Sequence, residues 1–395
     1  MINKQNISKI YFLFLSTHIF IWTVVPTIFN INLPLDTIEA LAWGSNMDWG
    51  FEKHPPFSAF AVDFFYRIFG NQDWAYYLLS QIFVVSAFIS VFKLAKEFFK
   101  NVYIPFLSIL LLEGIFFYNY TSPEFNVNIS QLPFWGLSIY FSWRCIKDDK
   151  LLDHVLLGLF IGLGFLSKYL FLYLIFGIYS LFFYLLQKKK IKSYNFLISG
   201  FIFLIMIFPH LLWLIDNDYK TLMYGLNRTG NSGNIIDHVI FPSTFIFKQI
   251  GILLPFVLMA LTLLKKIKLR KIIIDEKIVF LIFTFVLPIL LVILTSLLMG
   301  AKIRTMWMTP FYLLAGLAFL KIYEKNLNLT NLKKFTFSFL FLFLLSPTIY
   351  ALVSVSNDSK RTDYQGKEIA RLVQNKWDDN FSNEIKIVVG DEWFA

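Results

Sequence analysis

Apolar segments long enough to cross a membrane alternate with short polar segments along almost the whole chain. A membrane-spanning helix needs about 20 apolar residues. On that basis the sequence predicts about eleven spans, near residues 10–29, 75–92, 102–119, 125–143, 151–167, 169–186, 195–214, 242–264, 278–299, 305–320 and 335–353. The pattern is typical of an all-α polytopic membrane protein.

Composition supports this class and excludes others. The chain is 57% hydrophobic and 16% charged, with a mean hydropathy of +0.61, which excludes an ordinary soluble protein. Its single cysteine, Cys145, excludes a disulfide within the chain and a cysteine-based metal site. No small-residue cleavage site follows the first span, so we interpret that span as a membrane anchor.

The distribution of basic residues predicts the orientation. If the N-terminus is cytoplasmic, the cytoplasmic connections hold 22 of the 36 lysine and arginine residues and the opposite loops hold eight. The net charge of +10 is then explained by topology and by contact with anionic lipid, and nucleic-acid binding is not predicted. Loop 30–74 and the tail from about residue 354 are predicted to lie outside the cytoplasm.

The first long loop contains the residues best suited to chemistry. Pro34 can begin a helix, and Asp36 would lie in its first turn, where the helix dipole favours an anion. His54 precedes two prolines and is therefore held extended beside Lys53, an arrangement that suits a phosphate or a metal ion. A simpler alternative stays open, in which Asp36 only caps an interfacial helix and His54 packs against Trp49.

Segment 35–56 contains a predicted helix with an acidic residue in its first turn, followed by Asp-Trp-Gly-Phe at 48–51 and His-Pro-Pro at 54–56. This order resembles the first periplasmic loop of the glycosyltransferase family 39 type, the bacterial relatives of protein O-mannosyltransferases and of the lipid A aminoarabinose transferase. Further stretches resemble the family in the same order, at 124–135, 162–169, 209–217, 249–255 and 307–310. The sequence departs from many relatives at Thr37, where they have Glu, and at Glu124, where Asp is frequent.

The resemblance implies a GT-C fold of about 11 transmembrane helices, with interfacial helices in the first periplasmic loop. It implies a glycosyltransferase of the bacterial inner membrane, with its active site facing the periplasm. The donor would be a polyprenyl-phosphate sugar, and the acceptor lipid A or another envelope glycolipid. Residues 1–353 would form the catalytic domain, and residues 354–395 a short periplasmic tail, truncated relative to relatives that continue further.

The resemblance also implies roles for individual residues. Asp36 is the candidate general base or metal-organising acid, and Glu124 is the second candidate. The candidates for binding the donor phosphate are Lys53, His54, Lys168 and Arg228. If a divalent metal ion takes part, its candidate ligands are Asp36, Glu124 and His54.

Other interpretations of these residues and of the chain remain open. Lys168 could extend its ammonium group to lipid headgroups, and Arg228 could lie in a solvated loop. Lys302 and Arg304 are interpreted as interfacial anchors. The alternative functions are a protein O-glycosyltransferase, a secondary transporter and a non-catalytic membrane scaffold. Transport would require ionisable groups at mid-membrane, and Glu113 is the main one within a predicted span.

Overall fold

The computed structural model describes residues 4–191, 194–229, 234–266, 273–356, 360–363, 365–386 and 388. The structure is 77% helical and has no strand in these ranges, which confirms the all-α class. The α-helices in chain order are α1 (Lys4–Phe29), α2 (Leu35–Gly44), α3 (Phe57–Phe69), α4 (Asp73–Phe98), α5 (Ile104–Leu110), α6 (Val127–Ser130), α7 (Leu132–Asp148), α8 (Leu151–Ser167), α9 (Leu172–Gln187), α10 (Phe196–Asp216), α11 (Lys220–Thr229), α12 (Asp237–Leu261), α13 (Glu276–Leu281), α14 (Leu287–Met299), α15 (Ala315–Ile322), α16 (Lys333–Ser356) and α17 (Gly366–Asp378).

Within the described ranges, seven helices are long and apolar enough to cross a membrane, or eight if one bent pair counts as a single span. They comprise α1, α4, α9, α10, α12, α16 and the continuous α13–α14 helix, and the bent pair joins Thr305–Tyr312 to α15. The chain is thus a multi-pass membrane protein, although by length and composition it has fewer full spans than the eleven predicted.

The difference lies in the centre of the bundle. The predicted spans near 102–119, 125–143 and 151–167 correspond to shorter helices, namely Ile104–Gly114, α7 and α8. Between α5 and α6 the backbone forms short 3-10 turns and irregular segments, and side chains there, among them Ile115, Phe117 and Phe125, are buried. Irregular backbone at membrane depth is tolerated only where protein surrounds it, so these short segments can lie inside the bundle.

Connections between helices form two groups. The group here called the lysine end includes residues 99–103, 188–191 and 323–332, and the group called the loop end includes residues 30–72 and 115–126. Ion pairs at the lysine end join the predicted cytoplasmic connections, namely Lys147–Glu97 at 2.6 Å, Lys190–Glu276 at 2.8 Å and Lys321–Asp275 at 2.9 Å. The loop end is where the predicted outer loops contact one another.

Helices α8 and α10 approach closely, and both lead to the loop end. A Cβ atom at Gly158 would lie 2.5 Å from the Ser199 carbonyl oxygen, and one at Gly162 would lie 2.6 Å from the Met206 side chain. Small residues four positions apart let membrane helices pack backbone to backbone. This packing fixes the position of Lys168, directly after α8, relative to the end of α10. The predicted division of 151–186 into two helices at Lys168 is confirmed.

Candidate active site

The Asp-Trp-Gly-Phe segment of the first loop is bound to the end of α10. Asp48 Oδ2 accepts a hydrogen bond from Trp213 Nε1 at 2.7 Å. The Trp49 carbonyl oxygen lies 2.6 Å from His210 Nδ1. A side chain at Gly50 is excluded, because its Cβ would lie 2.3 Å from the Trp213 ring. Two family-like stretches, at 48–51 and 209–213, are therefore in direct contact.

His210 continues this contact to the turn after α8. A carbonyl oxygen can only accept, so Nδ1 donates to Trp49. In the neutral imidazole Nε2 then accepts from the Tyr169 hydroxyl, 2.7 Å away. Tyr169 directly follows Lys168. One imidazole thus holds the first loop against the segment that carries the predicted cation.

Lys168 is almost fully buried beside these groups. Its ammonium group donates to Asn128 Oδ1 and lies 5.0 Å from the centre of the Trp307 ring, a distance typical of a cation–π contact. Burial lowers the pKa of Lys168 to about 7, while the nearby Asp36 carboxylate opposes this shift. Lys168 is therefore held by protein groups close to Asp36.

Asp36 and Glu124, 88 positions apart, meet at the start of α2. The Asp36 backbone N–H donates to Glu124 Oε1 at 3.4 Å, and the Thr37 hydroxyl donates to the Phe125 carbonyl at 3.2 Å. Asn126 Nδ2 donates to Glu124 Oε2 at 3.4 Å. The start of a helix favours negative charge, and the hydrogen bond from the Asp36 N–H lowers the pKa of Glu124, but burial has the larger effect on both acids.

The pKa values of both carboxyl groups are raised, and burial is the main cause for each. For Glu124 the neighbouring Asp36 carboxylate raises the pKa further, because two like charges at short range disfavour double ionisation. Cations around Asp36, Lys168 foremost, oppose the shift of its pKa. A carboxyl group with a raised pKa binds a proton more readily, which suits a group that must accept one during the reaction.

A cavity of about 560 Å³, here called the basic cavity, opens beside Glu124. Four basic side chains line it, namely Arg228, Lys248, Lys302 and Arg304. Among its described lining residues Glu124 is the one carboxylate. Positive charges gathered around one cavity repel each other unless an anion enters. The basic cavity is therefore suited to bind a phosphate.

Three of these cations are absent from the sequence-based set of phosphate ligands. Lys302 and Arg304, interpreted above as interfacial anchors, line the basic cavity, and Lys248 reaches it from α12. A signal for them exists in the sequence. They lie in segments that the charge distribution predicts to be non-cytoplasmic, where lysine and arginine are otherwise few, and Lys248 lies within an apolar helix, where a cation is costly.

Lys53 and His54 make contacts within the loop end. The Lys53 ammonium group pairs with the Glu39 carboxylate. The His54 ring lies 5.9 Å from the Trp43 ring and 6.3 Å from the Tyr224 ring, measured between centroids. Burial, together with nearby cations, lowers the pKa of His54 to about 3. His54 is therefore a neutral imidazole at pH 7 and supplies no positive charge to a phosphate.

The predicted metal ligands are only partly brought together. Asp36 and Glu124 are neighbours, but the described part of the chain contains no group of three or more His, Cys, Asp or Glu side chains that could hold a metal ion. His54 does not complete such a group with them. The metal ligands stay a prediction.

Comparison with known families agrees with this architecture. Residues 53–213 match the model of the family described as dolichyl-phosphate-mannose-protein mannosyltransferase, which belongs to the GT-C group of glycosyltransferases. The resemblance stated from the sequence is thereby confirmed, and the match supports a membrane glycosyltransferase of the GT-C type. The matched segment includes Glu124 and Lys168, whereas Asp36 and Arg228 lie outside it. No curated protein sequence matches the chain.

Proposed function

We propose that the protein transfers a sugar from a polyprenyl-phosphate donor to an envelope acceptor on the periplasmic face of the bacterial inner membrane. One observation carries this proposal. Glu124 lines the basic cavity and accepts a hydrogen bond from the backbone of Asp36, so two candidate proton acceptors lie beside a phosphate-binding group of cations. Transfer from a lipid phosphate requires these two functions.

An apolar groove next to the basic cavity suits the lipid part of the donor. The groove has a volume of about 520 Å³ and runs between α12 and α16, with Ile252, Leu342 and Ile349 among its lining residues. It shares Phe116, Lys248 and Thr305 with the basic cavity. A polyprenyl chain in the groove would therefore place its phosphate among the cations. We expect an undecaprenyl-phosphate donor, because an outer-face site has no supply of nucleotide sugars.

The reaction would then need a proton acceptor and stabilisation of the leaving phosphate. A carboxylate of the Asp36–Glu124 pair accepts the proton of the acceptor hydroxyl as that oxygen attacks C1 of the sugar. The bond between C1 and the phosphate oxygen breaks, and its electron pair leaves with the polyprenyl phosphate. Arg228, Lys302 and Arg304 would stabilise the charge that develops on that phosphate, an effect largest where donors are already in place.

Lys168 and His54 would act through their neighbours. Lys168 lies close enough to Asp36 to favour the ionised form of that carboxyl group, as the opposing shift in its pKa indicates. His54, a neutral ring against Trp43 and Tyr224, would shape the site near Arg228, whose guanidinium donates to the Tyr224 hydroxyl at 2.6 Å. Both are assigned positioning roles.

Lipid A or another envelope glycolipid is the acceptor we favour, because it can diffuse within the membrane into a site at the interface. The second candidate acceptor is a protein. It is favoured by the description of the matched family, whose members are named as protein mannosyltransferases. Both acceptors use the same donor chemistry, and the acceptor arms of one experiment can separate them.

Transport is less favoured by the contacts of the main intramembrane acid. Glu113 Oε1 lies 2.7 Å from His18 Nδ1 inside the bundle, and the Asn119 side chain donates to the Glu113 carbonyl at 2.9 Å. A buried acid with these partners is suited to hold the irregular segment in place. A transporter would instead need this group to exchange protons or ions with solvent.

The test is transfer by the purified full-length protein in nanodiscs. Labelled undecaprenyl-phosphate sugar would be offered with lipid A in one arm and with envelope proteins in a second arm, and a nucleotide sugar would replace the donor in a third. We expect labelled lipid A from the first arm alone. Asp36→Asn should give no product, whereas Asp216→Asn, an exposed acid at the end of α10, should match the wild type.

Three results would count against parts of the proposal. Product from the nucleotide sugar alone would refute the polyprenyl-phosphate donor. Labelled protein with unlabelled lipid A would transfer the assignment to the second candidate acceptor. Uptake of a solute by proteoliposomes without any lipid-linked sugar would favour the transporter.

A further inference from the structure

A second, smaller cavity adjoins the basic cavity and shares Thr121 and Glu124 with it. It has a volume of about 270 Å³, and its walls come from the start of α2, the segment before Glu124, the end of α16 and tail residues 360–362. We call it the tail cavity. Two cations of the C-terminal tail, Lys360 and Arg361, line it together with Glu124.

Hydrogen bonds fix the walls of the tail cavity. Asn30 Nδ2 donates to the Tyr350 hydroxyl at 2.8 Å and joins the end of α1 to α16. The Asn32 backbone N–H donates to the Thr362 carbonyl at 2.9 Å. The tail is therefore bonded to the first loop immediately beside the residues that lead into Asp36.

The two tail cations differ in what they contact. The Lys360 ammonium group donates to the Ser354 carbonyl at 2.6 Å and lies 3.3 Å from Asp363 Oδ1, so its charge is already compensated. The exposed Arg361 guanidinium makes no hydrogen bond or ion pair with any other residue that the structure describes. A guanidinium offers five N–H donors in a planar fork that matches phosphate and carboxylate. Arg361 is thus the cation of the tail cavity that is available to a ligand.

We infer that the tail cavity binds the acceptor, and that Arg361 there binds a phosphate or carboxylate group next to the acceptor's reactive hydroxyl. The inference rests on the proposed function, in which the donor phosphate occupies the basic cavity. Because Glu124 lines both cavities, a hydroxyl bound in the tail cavity would lie beside the carboxylates that accept its proton. The small volume suits one headgroup sugar and is below the range of about 300–1,000 Å³ usual for larger ligands.

The first test measures binding, so it does not depend on catalysis. Purified full-length protein would be titrated with bisphosphorylated lipid A and with its dephosphorylated form. We expect the wild type to prefer the phosphorylated form by about tenfold, as a charge-assisted bidentate contact allows. Arg361→Gln should lose most of this preference, and Arg361→Lys should keep part of it. Arg371→Gln is the matched control, because Arg371 lies in the same tail on α17, outside the cavity.

The second test measures transfer. Arg361→Gln should raise the KM for phosphorylated lipid A about tenfold and leave the KM for the polyprenyl-phosphate donor unchanged. Arg361 also lies close enough to Glu124 to influence its pKa. That influence would alter the pH profile, but it would not alter the preference between phosphorylated and dephosphorylated acceptors.

Three outcomes would overturn the inference. The first is equal binding of the two acceptor forms by the wild type, and the second is an unchanged preference in Arg361→Gln. The third is a rise in the donor KM without a rise in the acceptor KM, which would place Arg361 with the donor phosphate. If the wild type transfers no sugar to any acceptor, the proposed function fails, and the binding measurement still decides whether Arg361 recognises an anionic headgroup.

Discussion

Replacing Asp36 by Asn tests the assignment of the general base. The side chain lies in the first turn of α2 and is half-buried, and within the described residues its carboxylate makes no hydrogen bond, since the contact to Glu124 uses the Asp36 backbone. The substitution keeps the shape and removes the charge. We therefore expect stability to change by no more than about 0.5 kcal/mol, the usual range for a change that removes no bonded partner.

The expected loss of activity is much larger. A positioned base contributes about 10²–10⁴ in rate, which corresponds to roughly 2.7–5.4 kcal/mol in the barrier. The assay is the initial rate of sugar transfer from polyprenyl-phosphate donor at saturating acceptor, together with the thermal unfolding midpoint of each variant. Asp216→Asn, at the same end of the bundle and outside both cavities, controls for a general effect of losing one acid.

Glu124 supplies a second readout. The Asp36 carboxylate raises the pKa of Glu124, so removing that charge should lower it. If Glu124 is the base, Asp36→Asn stays active, and the acid limb of its pH–rate profile moves to lower pH. If Asp36→Asn keeps more than about a tenth of the wild-type rate, a change under ~1.4 kcal/mol, Asp36 is not the base and Glu124 takes that role.

The orientation, the phosphate site and the burial of Lys168 can each be tested separately. In a Cys145→Ser background, single cysteines at exposed positions 52 and 380 should react with a membrane-impermeant thiol reagent added outside the cell, and a cysteine at position 189 should not. Reaction of position 52 or 380 only after permeabilisation would refute the predicted orientation. Lys302→Gln and Arg304→Gln should each raise the KM for the donor about tenfold, which corresponds to about 1.4 kcal/mol. The control Lys220→Gln, outside the basic cavity, should leave this KM unchanged. An unchanged donor KM in both test variants would show that these two cations do not bind the phosphate. Because the pKa of Lys168 is lowered to about 7 in the folded protein, the unfolded chain binds more protons than the folded one above that pH. Thermal stability should therefore rise between about pH 7 and pH 9, and Lys168→Met should lose this rise. An equal rise in the wild type and the variant would contradict the lowered pKa.

Much of the first loop can be predicted from sequence because its signals are local. A proline followed by an acid predicts the start of a helix, and α2 begins at Leu35 with Asp36 in its first turn. The proximity of Glu124 to Asp36 is not local, and it follows only from the ordered set of family-like stretches. The contact of Trp213 with Asp48 is of the same kind, because no period or spacing relates residues 165 positions apart.

The roles of the lysine and arginine residues at the site could not be predicted from local sequence signals. A lysine near the end of an apolar helix can extend to lipid headgroups or line a cavity, and both placements have the same sequence pattern. The structure separates them, because Lys168 is bound to Asn128 whereas Lys302 lines the basic cavity. Arg361 carries no sequence signal, since it lies in a polar tail that is placed by the hydrogen bonds of its neighbours Lys360 and Thr362.

The count of spans differs for a related physical reason. Counting apolar residues assumes that each segment crosses the bilayer alone, but the segment leading to Glu124 is held by polar partners inside the bundle. Asn119 accepts from the Ser346 hydroxyl at 3.0 Å, and its own carbonyl accepts from the Ser122 hydroxyl at 2.8 Å. These bonds satisfy a backbone that is not helical, as a buried polar group requires. A carboxylate can therefore be presented at the loop end from a short, irregular segment, at the point where the basic cavity and the tail cavity meet.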